Sequence, residues 1–294
     1  MPGRYVPPPD ARSLYQAFTP QEDQARTNVH YEQPVEFFYT ITGGEWNVYS
    51  ANLWTADSDE TASQEAKLDL LARLVGLRPG QRILDVGCGW GGPLTYLCKR
   101  YGVRGVGLTL SPTQQAAAME RIARHGVAAQ VLVRNWREYA DDEPFDAVLT
   151  DEVIVHFQDL GGFFARAKAL LREGGWMLNK ELHFAHERYA AVTRAMAFVN
   201  DIYGSTGNYR TLADELRLAN EAGFEVQVVH QIAREHYQRT LDRWLSNMHA
   251  HRERLVQLVG ADHYRRFRTY LKVVRGVLGG ETMTLDVVGS RKPA

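Results

Sequence analysis

Cysteine is nearly absent from this chain: two residues in 294, Cys88 and Cys98. That excludes a disulfide framework and a four-cysteine zinc site. Also missing is any apolar run near the roughly 20 residues that a membrane-spanning helix needs. Charge of one sign is lacking too: 34 Lys+Arg stand against 35 Asp+Glu, a formal net charge of −1. Without a concentrated positive field, binding to bulk nucleic acid or to an anionic membrane is not expected. The run Arg265-Arg266-Phe267-Arg268 reads instead as an exposed helix face. The segment MPGRYVPPPDARS lacks the apolar core of a signal peptide. No internal repeat recurs, which removes solenoids and propellers. The histidines show no metal constellation, since His183-x-x-His186 lacks a supporting acid in helical register. The expectation is a soluble cytoplasmic protein with a small-molecule substrate, no nucleic-acid partner, no integral membrane segment and no metal. Assembly into a homo-oligomer is left open.

What is present is an ordinary globular composition, 45% hydrophobic and 23% charged. Residues 1–62 read as an N-terminal arm and lid, with Pro7 to Pro9 in a loose arm and an aromatic-rich stretch from Tyr15 to Tyr39. Leu68, Leu71, Leu74 and Val75 then fall at helical spacing, with Ser63 as the N-cap. RILDVGCGW reads as a short apolar strand running into glycines, and VRGVGLTLS, AAQVLVRNW, FDAVLTDEVIVHF and GWMLNKELHF as further strands, all alternating with helices. Nearly continuous apolar strands of this kind indicate a parallel sheet covered on both faces. Residues 63–184 therefore form the core. Residues 185–294 read as a helical cap insertion plus two antiparallel edge strands, FEVQVVHQI and ETMTLDVVGSRK.

The strongest local motif is Asp85-Val86-Gly87-Cys88-Gly89-Trp90-Gly91-Gly92, between a strand and a helix. Glycines there let the backbone approach a ligand without a Cβ in the way. Gly87, Gly89 and Gly92 match a dinucleotide fingerprint, so the motif alone is ambiguous. Two details oppose a pyrophosphate. Asp85 would repel it, and the second strand ends in Thr109 where an acid would hold the ribose 2′-OH. Cys88, between two glycines, reads as a small packing residue.

The blocks LDVGCGWGG, GLTLSPTQ and RNW together resemble the S-adenosylmethionine (SAM) methyltransferases. More narrowly, HYEQPVEFF, NVYSANLW, LRPGQRILDVGCGWGG and EHYQRTLDRW, in that order, resemble the cyclopropane fatty acid and mycolic acid synthase family from about His30 to Lys292. The resemblance implies an α/β fold, a seven-strand Rossmann-like class I methyltransferase sheet with a helical cap, and SAM as cofactor. Residue by residue it implies Asp85, Gly87 and Gly89 at the amino-acid end of the cofactor and Thr109, Leu110 and Gln114 around ribose and adenine. Asn135 and Trp136 would flank the adenine, and Tyr49 and Ser50 would cover the sulfonium end. The alternative for Trp136 is a core aromatic.

Departures from the family sharpen the expected chemistry. Cyclopropane synthases hold a bicarbonate base with a cysteine, a glutamate, a histidine and a late tyrosine. Here the first three positions are Ala51, Val155 and Lys180, and only Tyr237 is kept, which weighs against cyclopropane formation. Glu152 instead ends the fourth strand, similar to the glutamate of prenyl-diphosphate and sterol-type C-methyltransferases. An acid there suits counter-charge and base roles for a carbocation, with Tyr49, Trp54, Phe157, Phe184, Tyr203 and Tyr237 as candidate π faces. The catalytic candidates are Glu152, His156, Tyr237 and Glu181. Lys180, His183, Tyr209 and Arg210 would form a small cationic corner for a diphosphate or carboxylate, with Tyr203 as a further substrate contact. For Arg210 a solvated lid charge is the alternative. The expected function is C-methylation of an alkene carbon in a small lipophilic acceptor, isoprenoid or prenyl diphosphate, in secondary metabolism. N- or O-methylation of a small amine or phenol is the alternative, as in plant alkaloid N-methyltransferases, and a non-catalytic SAM-binding protein is the third reading.

Overall fold

The computed structural model describes residues 19–191 and 207–294. The expected loose arm and the candidate contact Tyr203 lie outside the described residues. Seven strands form one sheet: β1 (Arg82–Val86), β2 (Arg104–Thr109), β3 (Ala129–Val133), β4 (Phe145–Asp151), β5 (Leu171–Phe184), β6 (Glu225–Ile232) and β7 (Met283–Arg291). Their order across the sheet is β3-β2-β1-β4-β5-β7-β6. The first five are parallel. β7 runs antiparallel between β5 and β6, which gives the expected antiparallel edge. Strand order reverses beside β1, where ligands collect at the carboxyl ends of such sheets.

Nine helices surround the sheet among the described residues: α1 (Pro20–Tyr31), α2 (Val35–Thr42), α3 (Glu60–Val75), α4 (Gly92–Tyr101), α5 (Pro112–His125), α6 (Leu160–Leu170), α7 (Leu212–Glu221), α8 (Arg234–Ala250) and α9 (Arg252–Gly279). Local chemistry fixes their ends. For α5, Ser111 caps by accepting from the Gln114 N–H, proline occupies the first turn, and Gly126 ends the helix at φ 61°. The expected cap Ser63 is corrected. Asp59 is the N-cap of α3, accepting from the Ala62 N–H at 2.8 Å, and Ser63 is buried a turn further in. An ionised carboxylate at the helix start also meets the positive end of the dipole, so aspartate outcompetes the later serine. The stretch Arg252–Gly279 breaks at Gly260, whose φ of 81° and ψ of 156° are not helical.

Apolar clusters fill both faces. One joins Phe37, Phe38, Leu94, Trp244 and Phe267 with the inner sides of α3, α4, α8 and α9. The other joins Leu84, Val148, Phe163, Phe164 and Phe224 under α6 and α7. All five residues of β1 are buried, which explains why its sequence shows no alternation. Cys88 is a packing residue: a Cβ on Gly107 would sit 2.7 Å from its Sγ, and burial pushes its thiol well above the usual range. Lys180, Glu181 and His183 fall within the run GWMLNKELHF that reads as the fifth strand. They lie inside it, because β5 continues for 14 residues against a partner, β7, that matches it from Trp176 to Phe184.

Candidate active site

A cavity of about 1100 Å³, including its open mouth, lies at the carboxyl ends of β1, β2, β3 and β4. Every residue expected to hold SAM lines it: Tyr49, Ser50, Asp85, Gly87, Gly89, Thr109, Leu110, Gln114, Asn135 and Trp136. Gly87 and Gly89 adopt φ of +80° and +54°, which favours glycine. A Cβ on Gly87 would strike Val153 at 2.6 Å, whereas nothing lies within 4 Å of one on Gly89. Gly89 thus leaves room that a ligand can use. Thr109 donates to Gln114 at 2.6 Å, and Trp136 packs on Phe157 with ring centroids 5.3 Å apart, giving a flat apolar wall for a purine. Asp85 is buried, and its Oδ2 has no hydrogen-bond partner in the protein. Burial, with Asp151 nearby, pushes it up to about 7. A buried, orphaned carboxylate fits the ammonium of an amino-acid ligand, so the residues present suit SAM.

Beneath the cavity floor lies a buried ionic cluster. Lys67 on α3 and Lys180 on β5 are both fully buried and both pair with Asp151, Lys180 at 2.9 Å. Lys180 also pairs with Glu152. Ser50 donates to Asp151 at 2.7 Å and accepts from Lys67 at 2.9 Å. Burial alone would raise Asp151, but the two ammonium groups outweigh it and hold the acid below the usual carboxylate range. Burial lowers Lys67 against the pull of Asp151, while for Lys180 the two carboxylates overcome burial and raise it.

Glu152 sits at φ 58°, a left-handed conformation that costs a non-glycine residue about 1–3 kcal/mol. Its carboxylate accepts from the Ala51 N–H at 2.8 Å and from the Tyr237 hydroxyl at 2.7 Å, and it lines the cavity. Its backbone N–H donates to the Lys180 carbonyl at 2.7 Å. The strained turn is thereby held from three sides, by the loop at Ala51, by β5 and by α8. His156 lines the same cavity, and burial lowers it to about 4, which keeps the imidazole neutral.

The expected cationic corner assembles only in part: His183, Tyr209 and Arg210 share one small cavity, and Lys180 is not among its lining residues. Lys180 is spent on Asp151 and Glu152. His183 is held by Glu215 at 2.6 Å and Asp286 at 3.1 Å. Burial would lower His183, but these two acids raise it to about 10. Arg210 donates to the carbonyls of Asn208, Phe157 and Gln158 at 2.8 to 2.9 Å. Alternating direction along β5 and the cost of burying an unpaired charge drew each cation to a separate internal partner. Glu181 and Tyr209 line a second, smaller cavity with His183 and Arg210. Burial, with Glu152 nearby, pushes Glu181 up to about 8. Its oxygens accept from the Val155 and Leu182 N–H groups at 3.0 and 2.9 Å.

Sequence reading missed Lys67 and the α1 residues Asp23, Thr27 and Tyr31, which line the cavity. For Lys67 a signal existed: Ser63, Gln64 and Lys67 share the buried stripe of α3 with Leu68 and Leu71. Polar residues on an apolar stripe mark a functional or networked site. Among the described residues, no three His, Cys, Asp or Glu side chains group as metal ligands, and no helix is long and apolar enough to cross a membrane.

A sheet of this order, with a glycine turn and an orphaned acid at the end of β1, defines a SAM-dependent methyltransferase of class I. The chain matches the family model "Mycolic acid cyclopropane synthetase" over residues 18–285, and it belongs to that family. Methoxy mycolic acid synthase MmaA3 of Mycobacterium tuberculosis is 31% identical over 269 residues, spanning 84% of this chain and 90% of that protein. Among solved structures, cyclopropane synthase MmaA2 from Mycobacterium tuberculosis aligns with a TM-score of 0.85 at 24% identity, covering 92% of this chain and 98% of that one. Mycolic acid cyclopropane synthase CmaA1, complexed with S-adenosylhomocysteine (SAH), gives 0.85 at 26% identity over the same shares.

Proposed function

We propose that this methyltransferase adds a methyl group to an alkene carbon of a small lipophilic acceptor, with Glu152 as counter-charge and base. Asp85, Gly87, Gly89, Tyr49 and Ser50 would hold the amino-acid and sulfonium end of SAM, and Thr109, Leu110, Gln114, Asn135 and Trp136 the nucleoside. The cofactor supplies an electrophilic methyl. The alkene π pair forms the new C–C bond as the C–S bond breaks, leaving its electrons on the thioether of SAH. The acceptor then carries the positive charge, and loss of an adjacent proton restores an alkene.

The observation that carries this reading is the Glu152 carboxylate, fixed at the cavity wall by Ala51, Lys180 and Tyr237. Positions 51 and 237 are two of those that, by resemblance, hold a bicarbonate in cyclopropane synthases. Here both give their hydrogen bonds to an internal carboxylate. A fixed anion stabilises a cation without reorganising at the moment of reaction. Which proton Glu152 takes decides the product: one from the acceptor yields a methylated alkene, one from the new methyl group closes a cyclopropane. A diphosphate-bearing acceptor loses its support because the cations of that corner are held by internal partners, so an acceptor uncharged at its reacting end is favoured.

A second reading is methylation of a small amine that reaches the site in its neutral form. His156 on the cavity wall is an uncharged imidazole that adds no positive charge against the cationic product, although at about 4 it is too weak a base to take an ammonium's proton. Incubation with methyl-deuterated SAM and a panel of isoprenoid alkenes, unsaturated acyl esters and amines separates these. A CD3 group on an alkene product supports the first reading, CD2 retention supports ring closure, and an N-CD3 product supports the second. Glu152→Gln should lower alkene turnover by about 10²-fold or more with SAH affinity kept. Near-normal turnover would remove Glu152 from the mechanism.

A further inference from the structure

Four carboxylates line the main cavity, and they are unevenly placed. Asp85, Asp151 and Glu152 stand at the ends of β1 and β4. Asp23 alone stands at the opposite end, beside Asn135 and Trp136, and it comes from α1 rather than from the sheet. Asp23, Thr27 and Tyr31 recur every fourth residue, so a single face of α1 lies over the cavity. The Asp23 side chain is 15% exposed, and its Oδ2 lies 2.8 Å from Arg137 Nη1 and 3.4 Å from Asn135 Nδ2. Gln158 also hydrogen-bonds to it. A carboxylate offers about four acceptor positions, so three donors leave one unfilled.

A purine between Asn135 and Trp136 presents ring nitrogens and one exocyclic group at its edge. Asn135 and Gln158 are weaker candidates for an exocyclic amine: Asn135 Oδ1 already accepts from the Arg137 N–H at 3.0 Å while its amide nitrogen faces Asp23, and Gln158 Oε1 already accepts from Arg137 at 3.1 Å. Asp23 is the acidic acceptor at that edge and the strongest of the three.

We propose that Asp23 accepts a hydrogen bond from the adenine 6-amino group, so that the cofactor's own base completes the fastening of α1 over the site. The proposal rests on SAM occupying the cavity with its nucleoside at Asn135 and Trp136. Other contacts already hold α1: Gln24 donates to the Leu110 carbonyl at 2.8 Å, and Glu32 accepts from Ser111 and Thr113 at 2.5 and 2.6 Å. None of these tests the identity of the base. Asp23 would, because a 6-oxo purine sets an acceptor against the carboxylate in place of the 6-amino donor and carries its proton one atom away, on N1. The chain then selects a 6-amino over a 6-oxo cofactor, and it does so with the lid rather than with the sheet.

The test compares binding of SAH and of S-inosylhomocysteine, its 6-oxo analogue, by calorimetry. The wild-type protein should prefer SAH by roughly 10- to 100-fold, the range for leaving a polar pair mismatched. Asp23→Asn, whose amide can turn to donate to the 6-oxo group, should bring the two affinities within about threefold of each other. Arg137→Met removes a fastening of the lid and adds neither donor nor acceptor at the purine edge, so it should weaken both ligands in equal proportion. A wild-type protein indifferent to the two ligands, or an Asp23→Asn variant that keeps the wild-type ratio, overturns the proposal. Failure of the wild-type protein to bind either ligand overturns the cofactor site itself, which is a different result.

Discussion

Asp85 allows a quantitative prediction about cofactor binding. Its side chain is buried with an orphaned Oδ2, and burial together with Asp151 raises it to about 7. Near neutrality it is therefore roughly half protonated when no ligand is present. A bound ligand ammonium favours the ionised form, so binding must expel the proton from whichever molecules carry one. The affinity then follows the ionised fraction. With a value near 7, that fraction is about 0.03 at pH 5.5 and about 0.76 at pH 7.5, so SAH should bind roughly 25-fold more tightly at the higher pH. Calorimetry in phosphate and in imidazole at pH 6.5 should show net proton release, read from the dependence of the heat on buffer ionisation. Asp85→Asn should bind more weakly and lose the pH slope. An affinity that is flat between pH 5.5 and 7.5, or net proton uptake, would refute the reasoning.

Further outcomes follow from the buried charges. Lys180→Met leaves Asp151 and Glu152 short of a cation and should destabilise the fold by about 3–5 kcal/mol, measured by urea denaturation. Adding Glu152→Gln to that variant should recover part of the loss, because one fewer uncompensated charge stays buried. His183 has a folded-state value of about 10, above its unfolded one. Its contribution is complete below about pH 6.5 and fades as pH rises towards 10, so the melting temperature should fall across that window, and His183→Gln should flatten the fall. A Cβ on Gly92 would come within 1.7 Å of the Trp46 carbonyl oxygen. Gly92→Ala should therefore lower the melting temperature steeply, whereas Gly89→Ala, which meets no protein atom and carries only the cost of its φ of +54°, should lower it less and weaken SAH binding.

The sheet was legible because its signals are local. Apolar strands bounded by glycine turns, and helices with Ser111 and Gly126 at their ends, declare themselves within a few residues. The cofactor cavity was legible for the same reason: its walls are the turns that follow β1, β2 and β3. The cations were not. Lys180, His183 and Arg210 lie near one another in sequence, but each is claimed by a partner far along the chain or by backbone carbonyls, and no local pattern encodes that choice. The lid role of the N-terminal segment was legible from its aromatics, but which residues of α1 face the cavity was not, because the helix is mostly polar. Only its placement over Asn135 and Trp136 gives Asp23 a meaning.

The insertion between β6 and β7 has a consequence for how such an enzyme can diversify. Its helix α8 brings Tyr237 to Glu152, stacks Trp244 on Tyr49 with ring centroids 4.9 Å apart, and binds the Asn52 backbone through Thr240 at 3.1 Å. The strands on either side pair with each other along the sheet edge regardless of what joins them. One contiguous stretch of chain can therefore be exchanged, lengthened or drift in sequence while the parallel strands keep their cofactor. Changes of acceptor can accumulate there without passing through a cofactor-free ancestor, so the edge hairpin acts as the exchangeable cassette of the fold.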